Sequence, residues 1–282
     1  MLGFQPSLSK SKQLYHLQFV GGKCELAQPD VKLVRYVDYY WLLTIEQPTL
    51  VLEVIPDTAI DLVLSPDIRD FAALYFPTDK KFDIDLEGPI QYAGMCFRSQ
   101  TAPELLRMDF AKLRQLQVGA DTGESLNVIP LMEDIQRADT ISSIVERFDR
   151  FWVAQLEQLD CEPITGTGTG TRTRTRTRIS HQTMIDVVEG TIGSGSIAGM
   201  CEIIGVSERQ FRRLSKDLFG LSPKKLQRVL RLQAALDELF HSDARQIRDL
   251  YYDDSHRIKE LKRLTGCTPS QIRKMAEKYN IL

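Results

Sequence analysis

A basic segment in the last third of the chain carries the side chains best suited to recognising a nucleic acid. Its cations are spaced three or four residues apart and therefore share one face of a helix; they are Arg209, Arg212, Arg213 and Lys216. Arginine offers two parallel donors that match O6 and N7 of guanine, and the amide of Gln210 can pair with adenine. The pattern favours contact with the major groove of duplex DNA. The alternative is an amphipathic helix whose basic side faces solvent.

Capping residues predict the elements that would hold this basic face. Ser196 can cap a short helix over Ile197–Ile204, and Gly205 then supplies a turn that tolerates a positive φ. Ser207 can cap the basic helix, which we expect to run over Glu208–Phe219. A short helix, a glycine turn and an exposed polar helix are the parts of a helix-turn-helix, which places its second helix in the major groove.

Residues 196–236 resemble the DNA-binding domain of the AraC/XylS family of bacterial transcription regulators, through Gly205–Leu214 and Phe219–Lys224. The resemblance implies two helix-turn-helix units joined by a long helix, here Lys224–His241, and Tyr251–Gln271 is similar to the second unit. We therefore expect a sequence-specific regulator, an activator or a repressor. The residues expected to contact DNA are Ser207, Arg209, Gln210, Arg212, Arg213 and Lys216 in the first unit and Ser255, His256 and Lys259 in the second.

Several positions depart from the family pattern. The family usually has aromatic residues where Ser215, Arg257 and Leu261 stand, and Leu250 replaces a usual glycine. In the second unit, acidic side chains stand where phosphate would approach; they are Asp249, Asp253 and Asp254. We therefore predict that the first unit reads bases, while the second is weakened or mainly positions the protein.

The front of the chain reads as short strands followed by helices. Candidate strands are Tyr15–Val20, Tyr36–Leu43, Leu50–Ile55, Ile60–Leu64, Ala73–Phe76, Phe82–Leu86 and Gln91–Phe97, separated by Pro, Asp and Gly. Helices are expected from Thr101, over Leu126–Ala138 and over Thr140–Leu159. The apolar stripe of the last helix packs either on the strands or on a partner subunit. The predicted fold class is α+β, with a β-rich N-terminal domain and trailing helices, and an all-α C-terminal domain with two helix-turn-helix units.

The N-terminal region loosely resembles that of one AraC-type subgroup, through Tyr36–Trp41, Ile55–Val63 and Gly94–Arg98. The subgroup often has Pro-Gly after its arginine motif, whereas Ser99 and Gln100 follow here, so a ligand role for Arg98 is not predicted. Tyr40 and Trp41 either line a pocket or belong to the core.

Composition divides the chain into an N-terminal domain for sensing or dimerisation (residues 1–164), a flexible Thr/Gly/Arg linker (165–178) and an AraC-type DNA-binding domain (179–282). Residues 1–164 hold 15 basic and 25 acidic side chains, net −10, whereas the rest is net +8. The basic half is the one expected to seek a polyanion. The linker arginines form either a phosphate-contacting arm or part of a solvated linker, and we expect the linker, rather than rigid contact, to couple the domains.

The sequence favours a binding protein over an enzyme. Its five cysteines are scattered, without CxxC or zinc-ligand spacing, and it has neither a P-loop nor a catalytic triad motif. We expect no metal and no cofactor, and localisation in the cytoplasm without a membrane span. Expected partners are double-stranded DNA, with a small-molecule effector, a second copy of the chain and RNA polymerase as further candidates. Alternatives are an AraC-like interaction module with weak or non-specific DNA binding, and a DNA-repair alkyl transferase.

Overall fold

A computed structural model describes residues 22–98, 101–108, 110–116, 120–136, 138–161, 181–191, 195–240 and 254–278. The strands are β1 Gly22–Ala27, β2 Val37–Ile45, β3 Thr49–Val54, β4 Ile60–Leu64, β5 Ala72–Tyr75, β6 Phe82–Glu87 and β7 Ile90–Phe97. The helices are α1 Ala102–Leu105, α2 Phe110–Leu113, α3 Ala120–Ser125, α4 Ile129–Ile135, α5 Ile141–Cys161, α6 His181–Gly190, α7 Ile197–Ile204, α8 Glu208–Phe219, α9 Pro223–Phe240, α10 Asp254–Thr265 and α11 Pro269–Lys278. Strands followed by helices are the predicted α+β class.

The strands form two sheets that face each other. Five pair antiparallel in the order β1-β2-β7-β4-β5, and β3 pairs with β6 in a separate two-stranded sheet. Because side chains alternate along a strand, Tyr40 and Leu42 join the core under α5, whereas Leu43 and Ile45 join the core under β3 and β6. The larger sheet is therefore covered on both faces.

A β-bulge at the start of β2 sets the phase of this alternation. Val37 pairs with Phe97 but Tyr39 pairs with the adjacent Cys96, so Asp38 is the extra residue. Val37 and Tyr40 consequently face the same core although they are three residues apart. The Asp38 carboxylate pairs with the Arg98 guanidinium at 2.9 Å, which gives Arg98 a structural role at the bulge.

The long helix α5 covers one face of the five-stranded sheet. Its apolar stripe joins the sheet core, as expected for one of the two alternatives; the stripe comprises Ile141, Ile144, Val145, Phe148, Phe151, Trp152 and Leu156. The Tyr40 ring meets the Phe148 ring edge-on at 5.2 Å, and its hydroxyl donates to Asp149 Oδ1 at 2.9 Å. Tyr40 is therefore a core residue.

The C-terminal helices form two apolar cores that share α9. The first lies among α6, α7, α8 and α9 and includes Met200, Phe211 and Val229. The second lies among α9, α10 and α11 and also takes in Ile55, which directly follows β3. One side chain of the N-terminal half is thus buried within the C-terminal half.

Most predicted elements are confirmed to within two residues, and β1 was not predicted. The helix expected over Leu126–Ala138 is shorter, because Asn127 adopts φ +56° and α4 begins only at Ile129. The strand Tyr15–Val20, the linker 165–178 and the segment Ala244–Leu250 lie outside the described residues. No helix in the described ranges is long and apolar enough to cross a membrane.

Candidate nucleic-acid interface and ligand cavity

The basic helix α8 begins at a capping box. Ser207 Oγ accepts a hydrogen bond from the backbone N–H of Gln210 at 3.3 Å, and Gln210 Oε1 accepts from the backbone N–H of Ser207 at 3.0 Å. These bonds satisfy backbone donors that the first helical turn leaves without a partner. Gly205 before the cap has φ +76°, and Gly220 after the helix has φ +69°. The predicted turn at Gly205 is confirmed, and Gly220 forms a second one after the helix.

The inner face of α8 fixes the helix against its unit. Phe211, Ser215 and Phe219 are all buried. Ser215 Oγ donates to the Leu221 carbonyl at 2.7 Å, so the small residue that replaces the family's usual aromatic bonds the turn after the helix. A helix held in this way presents its opposite face at a fixed angle.

The outer face of α8 carries the four predicted cations. Arg209, Arg212, Arg213 and Lys216 are all exposed. Arg212 pairs with Glu208 at 2.7 Å and Arg213 lies 4.0 Å from Asp217, both as exposed pairs one turn apart. Such pairs contribute about 0–1 kcal/mol, so phosphate or base edges can replace them. Because Gln210 is held in the capping box, its amide oxygen already has a local partner.

The N-terminal half contacts the C-terminal end of α8. Arg114, which directly follows α2, donates from Nη1 to the Lys216 carbonyl at 2.6 Å and from Nη2 to the Asp217 carbonyl at 3.3 Å. A cation at this end of a helix is favoured by the helix dipole, and it adds a second donor to the Lys216 carbonyl, which already accepts from the Gly220 amide at 2.9 Å.

The second unit presents α10, with Ser255 and Lys259 exposed. The His256 side chain lies outside the described residues. Glu260 of α10 is buried and pairs with Arg231 of α9 at 3.3 Å and with Arg263 at 3.6 Å. Leu261, at another position where the family has an aromatic, is buried in the second core. The predicted DNA-contacting residues thus lie on two helices, α8 and α10.

Direct contacts between the halves were not predicted from the sequence. Asp79 accepts from Lys225 at 3.1 Å and from Arg228 at 2.7 Å, both on α9. Gln233 of α9 donates to the Pro56 carbonyl beside the buried Ile55. The expectation that the linker couples the halves without rigid contact is therefore wrong, because the loops after β3 and β5 pack on α9.

A cavity of about 300 Å³ lies between the two sheets. Its aromatic walls are Tyr39, Trp41, Phe71, Tyr75, Phe76, Phe82 and Tyr92, and its carboxylates are Asp57, Asp61 and Asp85. Trp41 lines the cavity and Tyr40 does not, because consecutive strand residues face opposite sides. A side chain at Gly94 would place its Cβ 2.0 Å from the Trp41 ring, so glycine lets that ring lie across β7.

Among the carboxylates of the cavity, Asp61 has a raised pKa. Its Oδ1 lies 3.4 Å from the Trp41 indole nitrogen. Burial and the neighbouring charge of Asp57 raise the pKa of Asp61 to about 7, while hydrogen bonds from Trp41 and Cys96 act in the opposite direction. The Asp61 carboxyl group is therefore expected to titrate near neutral pH.

The described cysteines do not have the environment of a reactive thiol. Burial raises the pKa of Cys24 to about 12 and also raises the pKa of Cys96, Cys201 and Cys267. A nucleophilic cysteine needs the opposite shift. No group of three or more His, Cys, Asp or Glu side chains that could hold a metal ion occurs in the described part of the chain.

Comparisons with known proteins identify the C-terminal domain. Residues 200–275 match a family described as a helix-turn-helix domain, and residues 25–119 match a domain of unknown function (DUF6597). No curated protein matches the chain. Among solved structures, the chain is similar to ToxT from Vibrio cholerae (9% identity, TM-score 0.43, covering 91% of this chain and 98% of that one) and to its unsaturated fatty acid bound form (11%, 0.39, 90% and 95%).

Proposed function

We propose that this protein, a DNA-binding transcription regulator with an AraC-type helix-turn-helix domain at its C-terminus, reads its operator mainly through α8. Arg209 and Arg213 would contact base edges, since they lie one turn apart on the exposed face. Arg212 and Lys216, which lie beside this pair on the same exposed face, would contact phosphates. A regulator of this kind acts where the DNA is, in the cytoplasm of a bacterial cell.

The observation that carries this proposal is the combination of a fixed helix and an exposed basic face, whose ion pairs with Glu208 and Asp217 are solvent-exposed. The capping box, the buried Phe211 and Phe219, and the Arg114 bonds fix α8 along its whole length. A rigidly held helix positions side chains well enough for bidentate readout, which discriminates by about 1–3 kcal/mol for each good pair.

The test is operator binding by alanine variants of α8. The DNA upstream of the protein's own gene serves as the first probe, with a scrambled duplex for comparison. Arg213→Ala should lose roughly fivefold to a hundredfold in affinity for the operator and less for the scrambled duplex, since it removes base discrimination. Arg69→Ala, an exposed arginine of the N-terminal half, is the matched control. Unchanged discrimination in both Arg209→Ala and Arg213→Ala would contradict the assignment, and equal affinity of the unaltered protein for both duplexes would favour a non-specific interaction module.

We further propose that the cavity of the N-terminal half receives a small-molecule effector. Two loops belong both to its wall and to the contact with α9. In the first, Asp57 and Ala59 line the cavity directly after Ile55 and Pro56, which touch the C-terminal half. In the second, Thr78 lines the cavity directly before Asp79. An occupant that shifts either loop would alter how the DNA-binding half is held.

Asp79→Asn tests this coupling without a known effector. Removal of the charge that holds Lys225 and Arg228 should increase hydrogen exchange in α9 and shift operator affinity. Asp139→Asn, an exposed carboxylate between α4 and α5, should change neither quantity. Increased exchange with unaltered operator affinity would mean that the contact is structural only.

A homodimer and contact with RNA polymerase complete the proposed mechanism. Two copies on adjacent half-sites would explain a protein whose single recognition face is short. Light scattering, with and without an operator that has two half-sites, tests the homodimer. The dimer is excluded if the free protein has the mass of one copy and the two half-sites fill independently of each other. Reconstituted transcription from the same DNA shows whether polymerase recruitment rises or falls.

A further inference from the structure

The cavity between the sheets has a charge pattern that limits what it can bind. Three carboxylates line it, and no lysine or arginine is among the described residues that do so. The rest of the wall is aromatic or aliphatic apart from Thr78 and the tyrosine hydroxyls. An anionic ligand would meet like charges here, with no counter-charge among the described residues of the wall.

We propose that the cavity binds a small organic cation, an ammonium group attached to an apolar body, with Asp61 as its counter-charge. This inference rests on the proposed effector role of the cavity and specifies the chemical class of the effector. At about 300 Å³ the cavity lies at the lower end of the range for small-molecule sites, so the ligand has one ring or a short branched chain.

Aromatic rings beside Asp61 supply the second element of a cation site. Trp41 lies within hydrogen-bonding reach of the Asp61 carboxylate, and Tyr75 is its direct partner across the β4–β5 pair. The Tyr75 ring in turn stacks on Phe82 with centroids 6.3 Å apart. Trp41 directs the N–H edge of its indole at the carboxylate, so an ammonium group paired with Asp61 would have to lie against the face of Trp41 or Tyr75, where the ring quadrupole attracts cations.

The cation would also change the protonation of the site. The pKa of Asp61 is raised to about 7 by burial first, and then by the charges of Asp57 and Asp38. Trp41 and Cys96 oppose the shift by hydrogen bonding, and burial keeps the Cys96 thiol itself protonated. Only the ionised carboxylate attracts a cation. Affinity for a permanently charged ligand should therefore rise by about tenfold between pH 6 and pH 8, as the ionised fraction of a group with this pKa does.

Calorimetry on the full-length protein without DNA tests the proposal with three probes of similar size. Benzyltrimethylammonium is the cation, neopentylbenzene its uncharged isostere, and 3-phenylpropionate an anion of similar size. The cation should bind at least tenfold more tightly than the other two at pH 8, and its affinity should fall at pH 6. The preference is overturned if the neutral or the anionic probe binds as well as the cation, or if none of the three binds.

Asp61→Asn should lose at least tenfold in affinity for the cation and keep its affinity for the isostere, because only the counter-charge is removed. Asp139→Asn should behave like the unaltered protein. Retained cation affinity in a folded Asp61→Asn protein overturns the proposal, and the pH series on the unaltered protein decides it if the variant does not fold. Operator binding is measured separately, so failure of the cation site leaves the α8 assignment intact and failure of the α8 assignment leaves the cation site measurable.

Discussion

The two helix-turn-helix units are built alike at the end of their recognition helices and differently on their outer faces. After α8 the chain passes through Gly220 at φ +69°, and after α10 it passes through Gly266 at φ +78°. Both units also contain a capping box, although at different helices: Ser207 with Gln210 opens α8 itself, whereas Thr268 with Gln271 opens α11, the helix after α10. The scaffold chemistry is therefore repeated.

The faces that would meet DNA are not repeated. The outer face of α8 is a row of four cations, whereas α10 mixes its exposed cations Lys259, Lys262 and Arg263 with Ser255 and Ile258 and ties Glu260 inward to Arg231. Both units also approach the N-terminal half at their glycines: Arg114 lies beside Gly220, and Lys81 lies beside Gly266. The difference teaches that shared architecture does not imply shared readout, since readout depends on exposed side chains that packing does not constrain.

The largest expected effect tests whether the units are equally important for folding. Phe211→Ala empties the core of the first unit and should lower the free energy of unfolding by about 3–5 kcal/mol. Leu261→Ala in the second core should cost about 2–5 kcal/mol. Urea unfolding measures both values. A cost below about 1 kcal/mol for either variant would mean that the corresponding unit is not packed as described.

The next effect separates base reading from positioning. Lys259→Ala on α10 should weaken binding to every DNA sequence about equally and reduce the dependence of log affinity on log salt by about one unit. Arg213→Ala on α8 should instead reduce the difference between sequences. Fluorescence anisotropy at several salt concentrations measures both. If Lys259→Ala abolished sequence preference, the second unit would be a base reader and the contrast between the units would disappear.

The smallest effect compares the two caps. Ser207→Ala and Thr268→Ala should each lower the free energy of unfolding by about 1 kcal/mol, because each leaves backbone donors without a side-chain partner. Only Ser207→Ala should also weaken operator discrimination, since it loosens the first turn of α8. Chemical unfolding and operator titration of both variants measure this. Equal losses of discrimination would show that the cap of α11 matters to recognition as much as the cap of α8.

Local signals in the sequence were sufficient to predict most helices and strands and the first helix-turn-helix unit. Pro-Asp turns mark the ends of β3 and β4, and serine caps and glycines mark the starts and ends of α7 and α8. These residues act within a few positions of where they stand. The strand β1 was missed because Gly22–Ala27 contains no β-branched or aromatic residue. Its pairing with β2 supplies the stability that its own residues do not.

Long-range contacts were beyond the reach of sequence patterns. Asp79 and Arg228 are 149 residues apart, and nothing near either residue indicates its partner. The cavity was foreseen only at Trp41, because its other walls come from strands distant in sequence. Sequence alternation could have excluded Tyr40 from the same wall, since it is adjacent to Trp41.

The bulge at Asp38 has a consequence for how the gene can change. Because Val37 and Tyr39 already pair with the adjacent residues Phe97 and Cys96, deletion of the Asp38 codon would give a regular strand in which Val37 still faces the same core. Deletion of a paired residue such as Leu42 would instead turn the residues on one side of the deletion to the opposite face. Loss of one residue should therefore be tolerated at Asp38 and not at its paired neighbours in β2, where a change in length should survive only when a second one nearby restores the phase.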